Sequence, residues 1–397
     1  MSIDLPTGSP PARVAFYNDP KVRSIAYQVA LCAVIGFLVY AAARNAIANL
    51  ERAHIASGFG FWNTTAGFDI SQALIQFDSQ TSSYGRAFWV GLLNTLLVAS
   101  IGIVIATILG FIIGIARLSK NWLVAKVAAG YVETIRNIPL LLQLLFWYNA
   151  VLKALPEFRE SFVIPGGIYL NNRGLFIPQP IFKDGFGWVL IALAAGVIGA
   201  IAFYVWARKR QEQTGQQAPV FSVGLALVIG LPLVVLVLAG FPLAFEFPAA
   251  GRFNINGGIE ILPEFAALLF GLSIYTAAFI AEVVRAGILA VSRGQTEAAY
   301  SLGLRARPTL RLIVVPQAMR VIIPPLTSQY LNLTKNSTLA VAIGYPDLVQ
   351  VFTGTVLNQT GQAVEVVAIT MAVYLTISLA TSLLMNIYNS RIALVER

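Results

Sequence analysis

Apolar runs of bilayer length recur along this chain, at Ile25–Ala43, Phe88–Ala116, Tyr131–Leu152, Trp188–Trp206, Phe221–Gly240, Glu264–Leu289, Val321–Ile343 and Val364–Ile387. A hydrocarbon core takes about 20 mostly apolar residues to cross as a helix. A helix also bonds its own backbone groups, which lipid cannot do. With 57% hydrophobic and 11% charged residues, the chain is no ordinary soluble globule, in which charged residues approach a quarter. The fold class read here is all-α: a polytopic integral membrane protein of eight transmembrane helices.

The formal charge of +9 does not read as a nucleic-acid surface, because the cations gather in short segments between apolar runs. Arg117, Lys120 and Lys126 follow the second run, Arg208, Lys209 and Arg210 the fourth, and Arg391 and Arg397 the eighth. On the other side Arg52, Arg86, Lys153, Arg159, Arg173, Lys183 and Arg252 are sparser, and Glu157, Glu160, Asp184 and Glu246 offset them. The positive-inside rule puts both termini in the cytoplasm. Ile25–Ala43 is longer than the apolar core of a cleaved signal and reads as an uncleaved first span. The lone Cys32 allows no internal disulfide, and His54 has no Cys or His neighbours to form a metal site.

The organisation read from these patterns is a tail at 1–25, a first span and outer segment at 26–87, one part of a core at 88–154, an insertion at 155–260 with two added spans, and a second core part at 261–397. In the outer segments, Asp69-Ile70-Ser71-Gln72 reads as the start of an interfacial amphipathic helix. Pro and Gly make turns or loops the expectation for 153–187 and 241–263.

Some residues are too polar for lipid and are functional candidates on that ground. Glu133 and Arg136 are three apart, share a helix face and can pair; an ion pair that fixes packing is preferred over direct substrate contact. Pro139 predicts a kink in this span. Further out, Gln143, Tyr148 and Asn149 either line a translocation path or bond to neighbouring helices. The seventh span carries Asn332, Thr334, Lys335, Asn336, Ser337 and Thr338, which must face a cavity or a partner subunit. Glu282, Arg285 and Glu365 fit interface positions.

Between the sixth and seventh spans the chain reads EAAYSLGLRARPTLRLIVVP, residues 297–316. Glu297, Ala298 and Ala299, then Gly303, then Ile313 and Pro316, form a pattern that resembles the signature of permease subunits of binding-protein-dependent ABC importers. The resemblance implies a cytoplasmic coupling loop, at 291–320, of two short helices broken near Gly303 and docked on an ATP-hydrolysing partner. Glu297 and Arg305 would be placed to meet that partner, with Ala298 and Ala299 allowing close approach and Pro316 lying where the second helix turns toward the next span. Val315 departs from the more usual leucine.

Around the motif, residues 275–348 are similar to the polar amino-acid uptake subfamily, as is the Glu133, Arg136, Asn137, Pro139 pattern, with Ile138 where threonine is common. The extra first span and the insertion resemble one subunit of the general L-amino-acid ABC transporters of Gram-negative bacteria. That resemblance implies a type I importer permease fold, alternating access, no cofactor, and a set of partners: a homologous second permease, a cytoplasmic ATPase dimer, a periplasmic amino-acid-binding protein and an L-amino acid as substrate. No Gly-x4-Gly-Lys-Ser/Thr phosphate loop is present, so ATP hydrolysis is expected in another chain. Two rivals are an ion-coupled secondary transporter of small polar solutes, using Glu133 and Lys335 as a relay, and a non-transporting membrane scaffold.

Overall fold

A computed structural model describes residues 20–52, 57–252 and 254–392. The tail before residue 20, His54 and Arg397 lie outside the described residues. Among the described residues, seven helices are long and apolar enough to cross a membrane, or eight if one bent pair is a single span. They are α1 (Pro20–Arg52), α2 (Tyr84–Ala116), the bent pair α3 (Trp122–Asn137) and α4 (Leu140–Leu152), α5 (Phe186–Thr214), α6 (Val220–Leu238), α7 (Pro263–Leu289), α9 (Ala306–Ile343) and α11 (Ala363–Ile392). Between them lie the short helices α8 (Arg293–Ser301) and α10 (349–360).

The third span departs from expectation. Helix begins at Trp122, earlier than the expected Tyr131, and at the kink expected from Pro139 it turns through 105° between α3 and α4. Pro139 has no N–H to continue α3, and its ring forces the preceding residue out of helical geometry. Ile138 accordingly is extended, at φ −96° and ψ 127°. The expected kink is thus present as a sharp corner.

The core is built by α2, α7 and α9, with α3, α4, α10 and α11 around them. Small residues let the backbones approach, as membrane helix contacts require in the absence of a hydrophobic drive. A Cβ on Gly110 would stand 2.5 Å from Ile280 Cγ2, one on Gly114 2.7 Å from the Ala281 carbonyl, and one on Gly287 2.3 Å from Ile322 Cγ1. Val98, Ala106, Leu144, Leu268, Leu272, Ile280 and Leu333 fill the centre.

Residues 155–261 form a helical hairpin carrying a small β structure. Helices α5 and α6 pack against each other, with Gly196 seated on the Leu227 backbone. The flanking segments are strands where loops were expected. Strands β1 (Phe162–Ile164), β2 (Ile168–Asn171), β3 (Gly174–Ile177) and β8 (Ile259–Ile261) form an antiparallel sheet in that order. Two further pairs are β4 (Gln179–Phe182) with β5 (Leu243–Glu246), and β6 (Ala249–Ala250) with β7 (Ile255–Asn256). Here Gly and Pro mark the turns between short strands rather than a structureless run. Gly166 and Gly167 turn the chain between β1 and β2 at positive φ. The register Leu175↔Ile261 then joins the segments on either side of the hairpin.

The expected amphipathic helix at Asp69 is absent: residues 66–76 are irregular. Asp69 accepts instead from the amide of Ile70. Ile70 is buried against Ala87, Val90 and Val351, with Phe68, Ile75 and Phe77 packed around them. Pairs two residues apart point inward together in extended chain, not in a helix.

Candidate functional site: the coupling segment and the polar residues of the core

Helix α7 passes through Ala290, Val291 and Ser292 into α8, which begins with the Ser292 carbonyl accepting from Gln295. The end of α8 is set by Gly303. Its φ is +78°, its amide donates to Tyr300 O and the amide of Leu304 donates to Ala299 O. This is the Schellman arrangement, in which a left-handed residue closes a helix and satisfies its last carbonyls. The chain leaves through extended Arg305 and enters α9 directly.

The second short helix is thus not separate. It runs into the seventh span through a wide π turn at Leu310–Val314. Pro316 follows that turn and cannot bond back to Leu312, which accounts for the widening. Glu297, Ala298, Gly303, Arg305 and Pro316 are exposed, and Ile313 is half-buried. Ala299 is buried and faces its own chain, so it supports the break rather than offering a surface. Sequence reading passed over the exposed Tyr300, Leu302, Leu310 and Leu312, of which Leu302 is 81% accessible. Apolar side chains set among Arg305, Arg307 and Arg311 make a surface suited to protein contact.

The polar candidates in the spans separate into groups. Glu133 does not pair with Arg136. Its carboxylate lies 3.8 Å from Arg117, while the Arg136 guanidinium stands 5.0 Å from the centre of the Phe279 ring. Glu282 joins the same cluster: Arg117 bonds to one of its oxygens and Arg285 to the other at 2.6 Å. Gln143 is buried at the corner, its amide donating to Ile135 O and Ile138 O at 2.9 Å each. These are carbonyls that the break in the helix leaves without partners. Tyr148 donates to Glu264, and exposed Asn149 donates within its own helix, to Leu145 O.

On α9, Asn332 and Lys335 are exposed, Asn336 and Thr338 half-buried, and Ser337 fully buried. Ser337 donates to Thr334 O, which keeps it within its own helix. Lys335 forms no ion pair among the described residues.

A buried polar node also escaped sequence reading. Asn94 donates to Gln72 O and Pro346 O at 2.8 and 2.9 Å, Leu348 N donates to Thr95 Oγ1, and the fully buried Asp347 accepts from Gln350 N and the Tyr374 hydroxyl. Asn94-Thr95 inside an apolar run was the available signal.

The family described as "Binding-protein-dependent transport system inner membrane component" matches residues 213–394. The General L-amino acid transport system permease protein AapQ of Rhizobium johnstonii is 55% identical over 385 residues, covering 97% of this chain and 96% of its own. The Putative amino-acid ABC transporter permease protein YhdX of Escherichia coli is 52% identical over 385 residues, covering 96% and 97%. The Glutamate/glutamine/aspartate/asparagine transport system permease protein BztB of Rhodobacter capsulatus is 44% identical over 411 residues, covering 96% of each.

Proposed function

The chain belongs to the family of binding-protein-dependent ABC transporter permease subunits, and we propose that it carries L-amino acids inward through a pathway formed with a homologous second permease. A pair of ATPase subunits docks on residues 291–320 at the cytoplasmic face, and a periplasmic amino-acid-binding protein delivers substrate to the opposite face. The termini are cytoplasmic, and the segment 57–83 and the β structure of the insertion are outside. The charge distribution supports this orientation.

The observation that carries the reading is the break at Gly303. It turns α8 against the foot of α9 and leaves Glu297, Arg305 and four large apolar side chains exposed on a segment continuous with two spans. The permease hydrolyses nothing itself; the ATPase belongs to other subunits. Its part is to convert displacement of the docked segment into a change in packing between two discrete arrangements. The face of α9 carrying exposed Asn332 and Lys335 and half-buried Thr338 lines the pathway, where side chains that lipid would exclude can meet a zwitterionic substrate.

Glu297→Arg tests the docking role. In the assembled transporter in proteoliposomes, uptake of a mixture of radiolabelled L-amino acids falls sharply while the subunit still inserts and assembles. Wild-type uptake from that variant would refute the assignment.

A further inference from the structure

The charge cluster at the inner end of the core is not needed to explain membrane orientation, docking or the pathway. It joins three helices through one side chain. Arg117 closes α2, its amide donating to Ile113 O, and its charge suits the carbonyl end of that helix. One arm of its guanidinium holds Glu282 on α7 and the other reaches Glu133 on α3.

The two contacts differ in strength. Glu282 is shared between Arg117 and Arg285, and all three are largely withdrawn from solvent. Charge-assisted bonds of this kind are the strong ones. Behind them, Gly110 and Gly114 seat α2 against Ile280, Ala281 and Val284 of α7 too closely to admit a methyl group. Helices α2 and α7 therefore move together, and α7 leads within three residues into the docking helix α8.

The Glu133 contact is longer, at 3.8 Å, and the Glu133 side chain is 66% exposed. An exposed pair of this kind is weak and readily exchanged for water. Arg136, the nearest cation on the same helix, is occupied by the Phe279 ring. Asn137 donates to the Glu133 backbone carbonyl, and among the described residues the Glu133 carboxylate has no ion-pair partner besides Arg117.

We propose that Arg117 is the joint through which movement of the docking segment reaches the bent span, staying fixed to Glu282 while its contact with Glu133 makes and breaks as the transporter changes state. The inference rests on the docking role of residues 291–320. It makes Arg117 and Glu133 positioning residues, neither of which touches substrate.

A double-mutant cycle in the assembled transporter in proteoliposomes tests it, read as uptake of mixed radiolabelled L-amino acids per ATP hydrolysed. Glu133→Gln is expected to lower that ratio two- to five-fold, roughly the range of an exposed ion pair. The same substitution in an Arg117→Gln background is expected to change nothing further. Lys126→Gln, which removes a charge from the same helix, should match wild type. Since Glu133 is exposed, its substitution leaves folding intact. The joint is overturned if Glu133→Gln matches wild type, or if its effect persists unchanged without Arg117. If Glu297→Arg uncouples the transporter and Glu133→Gln does not, only the joint fails. If Glu297→Arg is also silent, the docking reading fails with it.

Discussion

The Tyr148 hydroxyl donates to the Glu264 carboxylate at 2.6 Å, tying the α4 half of the bent span to the first turn of α7. Lys153 Nζ stands 4.4 Å from the centre of the same ring, so one tyrosine orders both charges at this end of the core. Tyr148→Phe leaves the ring and removes the donor. A hydrogen bond to a charged group contributes about 1.5–3 kcal/mol, so the purified complex should unfold at a temperature several degrees lower in a thermal scan. Glu264→Gln keeps an acceptor and should cost less.

Gln143→Leu should destabilise the corner itself. The leucine matches the apolar surroundings but strands Ile135 O and Ile138 O, and each buried group left unpaired costs about 1–3 kcal/mol. Hydrogen exchange of the α3–α4 region should accelerate in this variant. Unchanged exchange would show that the corner is held by Pro139 alone.

Gly114→Leu should separate α2 from α7. Its side chain would meet the Ala281 carbonyl and Val284, neither of which can step aside. Overpacking a close contact typically costs about 1–3 kcal/mol, and the loss should appear as poor recovery of assembled complex after solubilisation.

Gly303→Asn and Gly303→Pro should behave differently. Asparagine tolerates the left-handed region and should keep most coupled uptake. Proline fixes φ near −65° and removes the amide that bonds Tyr300 O, so uptake per ATP should collapse while insertion persists. Equal activity of the two would argue against a role for the break.

Asp78 accepts from the amides of Gln80 and Thr81 and from the Thr81 hydroxyl, and these bonds hold its carboxyl below the ordinary aspartate range. A carboxyl depressed on folding adds stability that is complete above its unfolded value and is lost as pH falls through the folded one. Asp78→Ala at neutral pH should therefore loosen the 78–82 turn, seen as faster exchange at the Gln80 and Thr81 amides. Acidification of wild type should do the same.

Several of these relationships were half legible. The bend at Pro139 could be expected, because proline acts through its own ring and missing N–H. Its angle could not, because Leu140 and Leu144 pack into the core beyond it. The pairing of Glu133 was misread for a related reason. Three-residue spacing puts Arg136 within reach, but Phe279 from a helix remote in sequence and Arg117 from the end of the preceding helix compete for the two side chains. At 162–261, turn-rich composition concealed strands whose partners lie across the hairpin, as in Phe176↔Glu260. Strand pairing is nonlocal, and short segments carry little signal of it.

What the sequence by itself determined was the membrane class, the extent of most spans, and a helix break at Gly303. Each follows from local physics: apolar length against bilayer thickness, and a glycine where a helix must close left-handed. Only the tertiary structure decided which charges meet, which side of Ala299 is covered, and that α9 runs from Ala306 to the polar residues at Lys335 and beyond. Those outcomes depend on helices brought together by glycine-mediated packing, and such contacts hold information that no single segment of the chain contains.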